Sequence, residues 1–460
     1  MKPIDNRYRS VHVTDRFKQD LPIRIWKIAN ILLITAMWAW VWYAYYKDNA
    51  QVKYYLKGDL LMIVIFMVMY CLCCRAYDGF YIATRVISEI IYSQFLAIMV
   101  SDMVMFLVTW LLSLYLPNLI PIAFCIIMQI AISTVWAVCA HRWYYATHKP
   151  LVSAVIYEHR PGLEKLIDEY GMNKKYEVRK TMTIAEALDD IAQLNDYETV
   201  FLSGINSHDR NILIKHCVEH DIDVYVIPRI GDMIMASARQ EHMFHLPMMQ
   251  VRRYQPPLEY VVFKRVFDIV VSLSGLVIFL PFMLITAIAV KSDGGPALYK
   301  QKRLTKDGKE FYILKFRSMR VDAEKDGVAR LSTGDKDDRI TSVGRVIRAI
   351  RFDELPQIFN ILKGDMSVVG PRPERPEIAS EYEEAMPEFR LRLQAKAGLT
   401  GYAQVYGKYN TTPYDKLLMD LMYIAKPSIV EDLKICFFTA KILFEKESTE
   451  GIKEGQTTAR

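Results

Sequence analysis

Charge is scarce in the first third of this chain, and no cysteine framework runs through any of it. Seven cysteines stand among 460 residues. Cys71, Cys73, Cys74, Cys125 and Cys139 lie in apolar stretches, and Cys217 and Cys436 stand alone. None has the paired spacing of a zinc knuckle, so they read as small buried residues in a reducing context. A G-x-G-x-x-G turn is absent too, which removes the usual fingerprint of a dinucleotide-binding fold. Strong charge of either sign is lacking: 58 basic against 52 acidic residues leave a net charge of +6. That mild excess suits anionic partners, and its place beside apolar segments favours lipid headgroups and phosphates over nucleic acid.

Apolar sequence is abundant, at 52% of residues. Four apolar stretches precede residue 145, at 23–43, 60–74, 95–116 and 119–140. Most approach the ~20 residues that a spanning helix requires. Trp38, Trp40, Trp42, Tyr43, Trp143 and Tyr144 crowd their edges like an interfacial aromatic belt. Arg7, Arg9, Arg16, Lys18 and Arg24 precede the first stretch, Arg75 and Arg85 follow the second, and Arg142 and Lys149 follow the fourth. Lys47, Lys53 and Lys57 in the first loop run against this pattern. The balance predicts both ends in the cytoplasm. Residues 1–22 then form a cytoplasmic tail, not a cleaved signal, and 23–146 a four-helix transmembrane bundle. Asp102 is the one clear acid within a span and is expected to pack against another helix.

Residues 150–250 change character. Strand-like runs at 151–157, 198–204 and 223–228 alternate with helical patterns, which predicts a small Rossmann-like α/β domain. Its first strand–helix turn, YEHRPGLE, holds a single glycine, so its nucleotide site reads as degenerate. HCVEH, from His216 to His220, matches a zinc motif over only five residues and reads as an ordinary helix.

A fifth apolar segment, 266–290, is long enough to cross. Pro281 interrupts it, and Lys264, Arg265, Lys291, Lys300, Lys302 and Arg303 flank it on both sides. Both flanks then favour the cytoplasm, so a re-entrant helix–break–helix is expected, with an ordinary fifth span as the alternative.

The chemistry follows. GKEFYILKFRSMR reads as a strand ending in Lys315, Arg317 and Arg320, suited to phosphates or to a solvated basic face. In RFDELPQIFNILKG, Pro356 at the first turn and Gly364 at the end predict a short helix. Asp353 and Glu354 sit just before its N-terminus, where free N–H groups favour negative charge. One carboxylate could hold Mg²⁺ against a diphosphate while the other attacks phosphorus. The bland alternative is a helix-capping pair that binds nothing. GPRPERPE then presents Arg372 on a proline-stiffened turn, fit for a planar phosphate contact. KAGLTGYAQVYGKYN is a glycine-punctuated loop carrying Gln404, and residues 414–443 have the amphipathic spacing of a membrane-surface helix.

These pieces, in this order, resemble the catalytic domain of bacterial polyprenyl-phosphate phosphoglycosyl transferases, from about 263 to 443. The matching runs are KQKRLTKDGKEFYILKFRSM, DDRITSVGRVIRAIRFDELPQIFNILKGDMSVVGPRP, KAGLTGYAQV and VEDLKI with Asp432. The layout resembles the large polytopic members that begin exopolysaccharide, capsule or O-antigen assembly at the bacterial inner membrane. The resemblance implies a mixed membrane protein with an α-rich monotopic catalytic domain at 259–460 on the cytoplasmic face. It implies transfer of a sugar 1-phosphate, glucose or galactose favoured, from a UDP-sugar to undecaprenyl phosphate, with release of UMP. By that resemblance Asp353 is the nucleophile, Glu354 the Mg²⁺ ligand, and Lys315, Arg317, Arg351 and Arg372 the phosphate contacts. Gln357, Gln404 and Asp432 support the site, and Pro281 sets the break in the membrane helix. The family often reads G-L-A-Q-V-N-G-R where this chain has GYAQVYGK, so Tyr402, Tyr406 and Lys408 bear on the sugar. Homo-oligomerisation stays open. The rivals are a lipid-linked glycosyltransferase that releases UDP and a non-enzymatic scaffold of polysaccharide assembly.

Overall fold

The structure is a computed structural model that describes residues 6–49, 56–113, 115–292, 294–321, 339–407 and 411–442. Lys53, Lys408 and the DD pair at 337–338 lie outside the described residues, as do the side chains of Arg7, Arg9, Arg16 and Lys18. The chain divides into two units, Met1–Ile227 and Pro228–Arg460.

The first unit opens with four long helices: α1 (Asn6–Val41), α2 (Leu56–Ala76), α3 (Ile87–Leu112) and α4 (Leu119–Thr147). α1 runs unbroken through most of the stretch expected as a tail, with Pro22 inside it. α1 packs against α2 and α4, and α3 packs against the same two. Their apolar windows are long enough to cross a bilayer. Two of the six expected belt residues are interior instead. Trp38 and Trp42 are buried, and Trp38 stacks on Phe66 at 5.0 Å, whereas Trp40 and Tyr43 face outward.

A buried polar chain joins all four helices, and the sequence reading missed it. Tyr70 donates to Asn30 Oδ1 at 2.8 Å, and Asn30 Nδ2 donates to Gln94 Oε1 at 3.3 Å. Ser133 donates to the same Gln94 oxygen, and Gln94 Nε2 donates to the Gly79 carbonyl at 2.9 Å. Such a chain gives apolar helices one register, because any other leaves amide groups unpaired. Asp59 is a second buried acid, held by Trp42 Nε1 and Lys47 at 3.0 Å each. Asp102 is fully buried, and neither of its oxygens has a hydrogen-bond partner among the described residues.

After α4 comes the α/β part: β1 (Leu151–Tyr157), α5 (Leu163–Glu169), β2 (Tyr176–Thr183), α6 (Ile184–Asp189), β3 (Thr199–Ser203), α7 (Ser207–Glu219) and β4 (Asp223–Val226). The sheet is parallel, in the order β2-β1-β3-β4. β1 and β3 are apolar on both faces, as central parallel strands are. The edge strand β2 escaped the sequence reading because half of its residues are charged or polar and exposed. At the strand ends the chain fills its own crevice. Glu158 accepts the Asn206 backbone N–H at 2.8 Å, where an anionic ligand would otherwise meet the start of α7. His216 and His220 do share a face, with rings 4.1 Å apart. His216 Nε2 is hydrogen-bonded to Asn195, and no group of three metal-binding side chains occurs among the described residues.

The second unit starts with α8 (Ile230–Ala236) and the hairpin β5 (Arg239–Met243) and β6 (Leu246–Gln250). The stretch 228–250, expected in the α/β domain, thus belongs with the later residues. Then comes α9 (Leu258–Lys291), which Pro281 does not divide. A proline inside a helix removes one N–H and crowds one turn, which bends a helix without ending it. Only 17% of its apolar window is buried, against 28–39% for the four earlier helices, so its flank needs an apolar medium. Its first half is tied by polar contacts. Arg265 donates to the Ile361 and Leu362 carbonyls at 2.8 and 2.7 Å, and Asp268 accepts from Ser367 Oγ and Val368 N, both at 2.9 Å.

The remainder is β7 (Leu298–Leu304), β8 (Glu310–Phe316), α10 (Ser342–Ala349), α11 (Gln357–Lys363), β9 (Ser367–Val369), α12 (Pro376–Ala385), β10 (Gly398–Thr400), α13 (Tyr402–Val405), α14 (Pro413–Ala425) and α15 (Ile429–Ile442). β7 and β8 form a hairpin, and β9 pairs with β10 in parallel. Gly370 and Gly398 cross so closely that a Cβ on Gly398 would lie 2.1 Å from Gly370 N. The expected surface helix at 414–443 is instead two helices. Lys426–Ser428 separates them, and Leu417, Leu418, Leu421 and Ile424 of α14 enter the core.

Candidate active site

Asp353 and Glu354 occupy a single 3₁₀ turn, Phe352–Glu354, between α10 and α11. α11 starts one residue later than expected, at Gln357, and ends at Gly364 with φ +96°. Arg351 enters the turn with φ +59°, a left-handed backbone that costs a non-glycine residue roughly 1–2 kcal/mol. Phe352 fixes the turn from below, packing edge-on against Phe282 at 6.0 Å and Phe279 at 6.4 Å. Those two residues flank the Pro281 turn of α9, which is how the membrane helix reaches the site.

Lys315 lies on β8 on the same face as the buried Phe311 and Ile313, so it extends inward. Its Nζ meets Glu354 Oε1 at 2.9 Å. Arg372, from the Pro371–Pro373 turn, meets the same oxygen at 3.2 Å. Asn360 was not foreseen and sets this geometry. From α11 its amide accepts from Leu314 N at 2.9 Å and donates to the Tyr312 carbonyl at 2.8 Å, so α11 and β8 are fastened beside the dyad.

The two acids differ sharply. Burial raises the Asp353 pKa above the ordinary aspartate value, and the charge of Glu354 raises it further. Lys315, Arg348 and Arg351 oppose this without winning. Burial pushes Glu354 upward too, but Lys315, Arg372 and Arg351 outweigh it and hold its carboxyl far below the usual range. The favourable field expected at the helix N-terminus is therefore overridden at Asp353. Asp353 is 9% exposed and has no hydrogen bond or ion pair among the described residues.

The other expected residues separate. Arg317 is buried, and its guanidinium donates to the carbonyls of Pro296 at 3.0 Å, Val290 at 2.9 Å and Met319 at 3.4 Å. It ties the end of α9 to β8. Truncation to Ala strands three carbonyls, so Arg317→Ala is expected to cost about 3 kcal/mol, read as a lower melting temperature in detergent. A phosphate contact would instead raise KM at unchanged stability. Gln357 is buried at the start of α11. Asp432 is buried. It accepts from Tyr260 and Lys264 of α9 at 2.9 Å each and from Tyr423 at 2.8 Å. Gln404 Nε2 donates to the Leu399 carbonyl at 3.2 Å, and Tyr402 donates to Glu431 at 2.5 Å. A large open cavity of about 1330 Å³ includes Tyr254, Leu304, Arg390 and Ile424 in its walls but none of the dyad residues, so size alone would misplace the site.

Residues 259–446 match the family described as Bacterial sugar transferase. The exopolysaccharide production protein PSS of Rhizobium leguminosarum bv. phaseoli is 42% identical over 189 residues, which cover 39% of this chain and 94% of that protein. This chain belongs to the bacterial sugar transferase family. A UDP-glucose:undecaprenyl-phosphate glucose-1-phosphate transferase of Caulobacter vibrioides is 41% identical over 191 residues, 40% of this chain and 71% of that one. A UDP-N-acetylgalactosamine-undecaprenyl-phosphate N-acetylgalactosaminephosphotransferase of Aeromonas hydrophila is 35% identical over 234 residues, 50% of this chain and 54% of that one. The chain spans about half the length of several of the curated relatives it matches. The family match begins at Glu259, one residue into α9, and contains every residue of the dyad and its cations.

Proposed function

We propose that this protein transfers a hexose 1-phosphate, glucose or galactose favoured, from a UDP-sugar to undecaprenyl phosphate, as the first membrane step of a surface polysaccharide. The observation that carries the reading is the unequal pair of acids. Asp353 is buried and unpaired among the described residues, beside a Glu354 held ionised by Lys315 and Arg372.

In the forward half-reaction an Asp353 carboxylate oxygen attacks the sugar-bearing phosphorus. The bond from that phosphorus to the oxygen bridging the two phosphates breaks, UMP departs with the electron pair, and an acyl phosphate forms. A phosphate oxygen of the lipid then attacks the same phosphorus and returns Asp353 as a carboxylate. Lys315 and Arg372 face the Glu354 carboxylate before substrate arrives and can turn to the incoming phosphates. Arg351 adds positive charge from the strained turn. Mg²⁺ fits as a further partner. Glu354 would hold it as a hard oxygen donor, too little alone but sufficient with substrate phosphates, and the ion would neutralise charge on the diphosphate.

We also read the catalytic unit as monotopic on the cytoplasmic face of the inner membrane, and the four long helices of the first unit as a transmembrane bundle. Both halves of α9 pack against the second unit's own residues. Asp268 binds Ser367 near one end, and Val290 packs with Phe316 and Ile347 at the other. A helix that crossed would leave one end across the bilayer, so a re-entrant path bent at Pro281 fits better.

Nucleotide release tests the reaction. Purified protein, Mg²⁺, undecaprenyl phosphate and a panel of UDP-sugars are expected to yield UMP with one donor. UDP in place of UMP assigns an ordinary glycosyltransferase, and neither nucleotide from folded protein assigns a scaffold.

A further inference from the structure

Resting on that reading of the site, the geometry points to the buried Arg392 and the half-buried Arg303 as positioning residues that hold the Arg372 turn rigid, so that its guanidinium faces Glu354. Neither has a place in the dyad; in the sequence Arg303 reads only as a basic flank of the fifth apolar segment, and Arg392 does not stand out.

The turn Pro371–Glu374 has no regular secondary structure, yet each of its four carbonyls is bonded. Gly398 N donates to Pro371 O at 2.9 Å, Arg392 to Arg372 O at 2.8 Å, Arg303 to Pro373 O at 3.1 Å, and Leu304 N to Glu374 O at 3.0 Å. Pro371 and Pro373 add fixed φ angles on either side of Arg372. A loop held at every carbonyl loses little entropy when its side chain meets a phosphate.

The two clamping cations are themselves anchored. Arg392 is 3% exposed, lies over the Phe389 ring at 4.8 Å, and pairs with the fully buried Asp420 of α14 at 2.7 Å. Glu374 bridges both, 3.7 Å from Arg392 and 3.8 Å from Arg303. Burying Arg392 with Asp420 is costly by itself, and a well-packed apolar pair would serve stability as well. Its geometry gives a reason for the charge. One planar guanidinium nitrogen reaches Asp420 Oδ2 and the Arg372 carbonyl together, which a lysine ammonium on a flexible stem does less rigidly. The clamp therefore runs from α14 through Arg392 to Arg372 and on to Glu354.

The test is a double-mutant cycle of Arg392→Lys and Arg372→Ala, with Arg303→Lys as a second clamp variant should Arg392→Lys not fold. Arg392→Lys is expected to lower kcat/KM for UMP release by about tenfold or more when Arg372 is present. In the Arg372→Ala background it should have almost no further effect. Equal losses in both backgrounds would overturn the positioning role. In the same samples, phenylglyoxal modification of Arg372, followed by mass spectrometry, is expected to run several-fold faster in Arg392→Lys than in the parent. That readout needs no turnover. Faster modification from protein that forms no UMP would keep the clamp and remove the transferase reading. Unchanged modification with intact UMP release would remove the clamp alone.

Discussion

Asp353→Asn is expected to abolish UMP formation, by roughly 10³-fold or more, which corresponds to about 4 kcal/mol of lost transition-state stabilisation. The variant should fold as the parent does. Asp353 has no ion pair or hydrogen bond to lose among the described residues, and Asn has the same shape. Burial of the carboxyl is itself unfavourable, so an unchanged or slightly raised melting temperature should accompany the loss. A folded variant with near-parental UMP release would show that Asp353 is not the attacking group.

Glu354→Gln carries the second large effect. Removing this charge leaves Lys315 and Arg372 facing a neutral amide, and roughly 10²-fold loss of kcat/KM is expected. The pH profile is more telling. Burial and the Glu354 charge raise the Asp353 pKa, while Lys315, Arg348 and Arg351 lower it. Asp353 must be ionised to attack, so kcat/KM falls as pH drops through its pKa. Neutralising Glu354 deletes one of the raising influences and leaves the cations in place. The acidic limb should therefore move to lower pH in Glu354→Gln. A limb that stays in place, measured on residual UMP release, would assign it to a different group.

Much of the site was legible because its chemistry is local. DELPQIFNILKG encodes two acids, a helix start and a helix stop within one short run, and the structure returns a turn and a helix there. Lys315 was legible as the end of a strand, and Arg372 as a residue between prolines. Arg317 looked the same as Lys315 in sequence. It lies two positions on, past the end of β8, where three carbonyls collect around its guanidinium. Asn360, Arg303 and Arg392 had no local signal, since each acts on a backbone distant along the chain. The same holds for Asn30, Tyr70, Gln94 and Ser133. Each sits among apolar neighbours in its own helix and becomes part of a network only when four helices meet.

The sequence by itself determined the apolar helices, three of the four parallel strands, the adjacent acids and the family. Those depend on composition, on periodicity and on neighbours a few residues apart. Tertiary structure alone decided which acid stays paired and which stays free, because that depends on where Lys315 and Arg372 come to rest. It also decided which arginines serve backbone and which face the dyad. Ion pairs and burial are set by distance in space, and a guanidinium that finds carbonyls at 3 Å is no longer available to a phosphate.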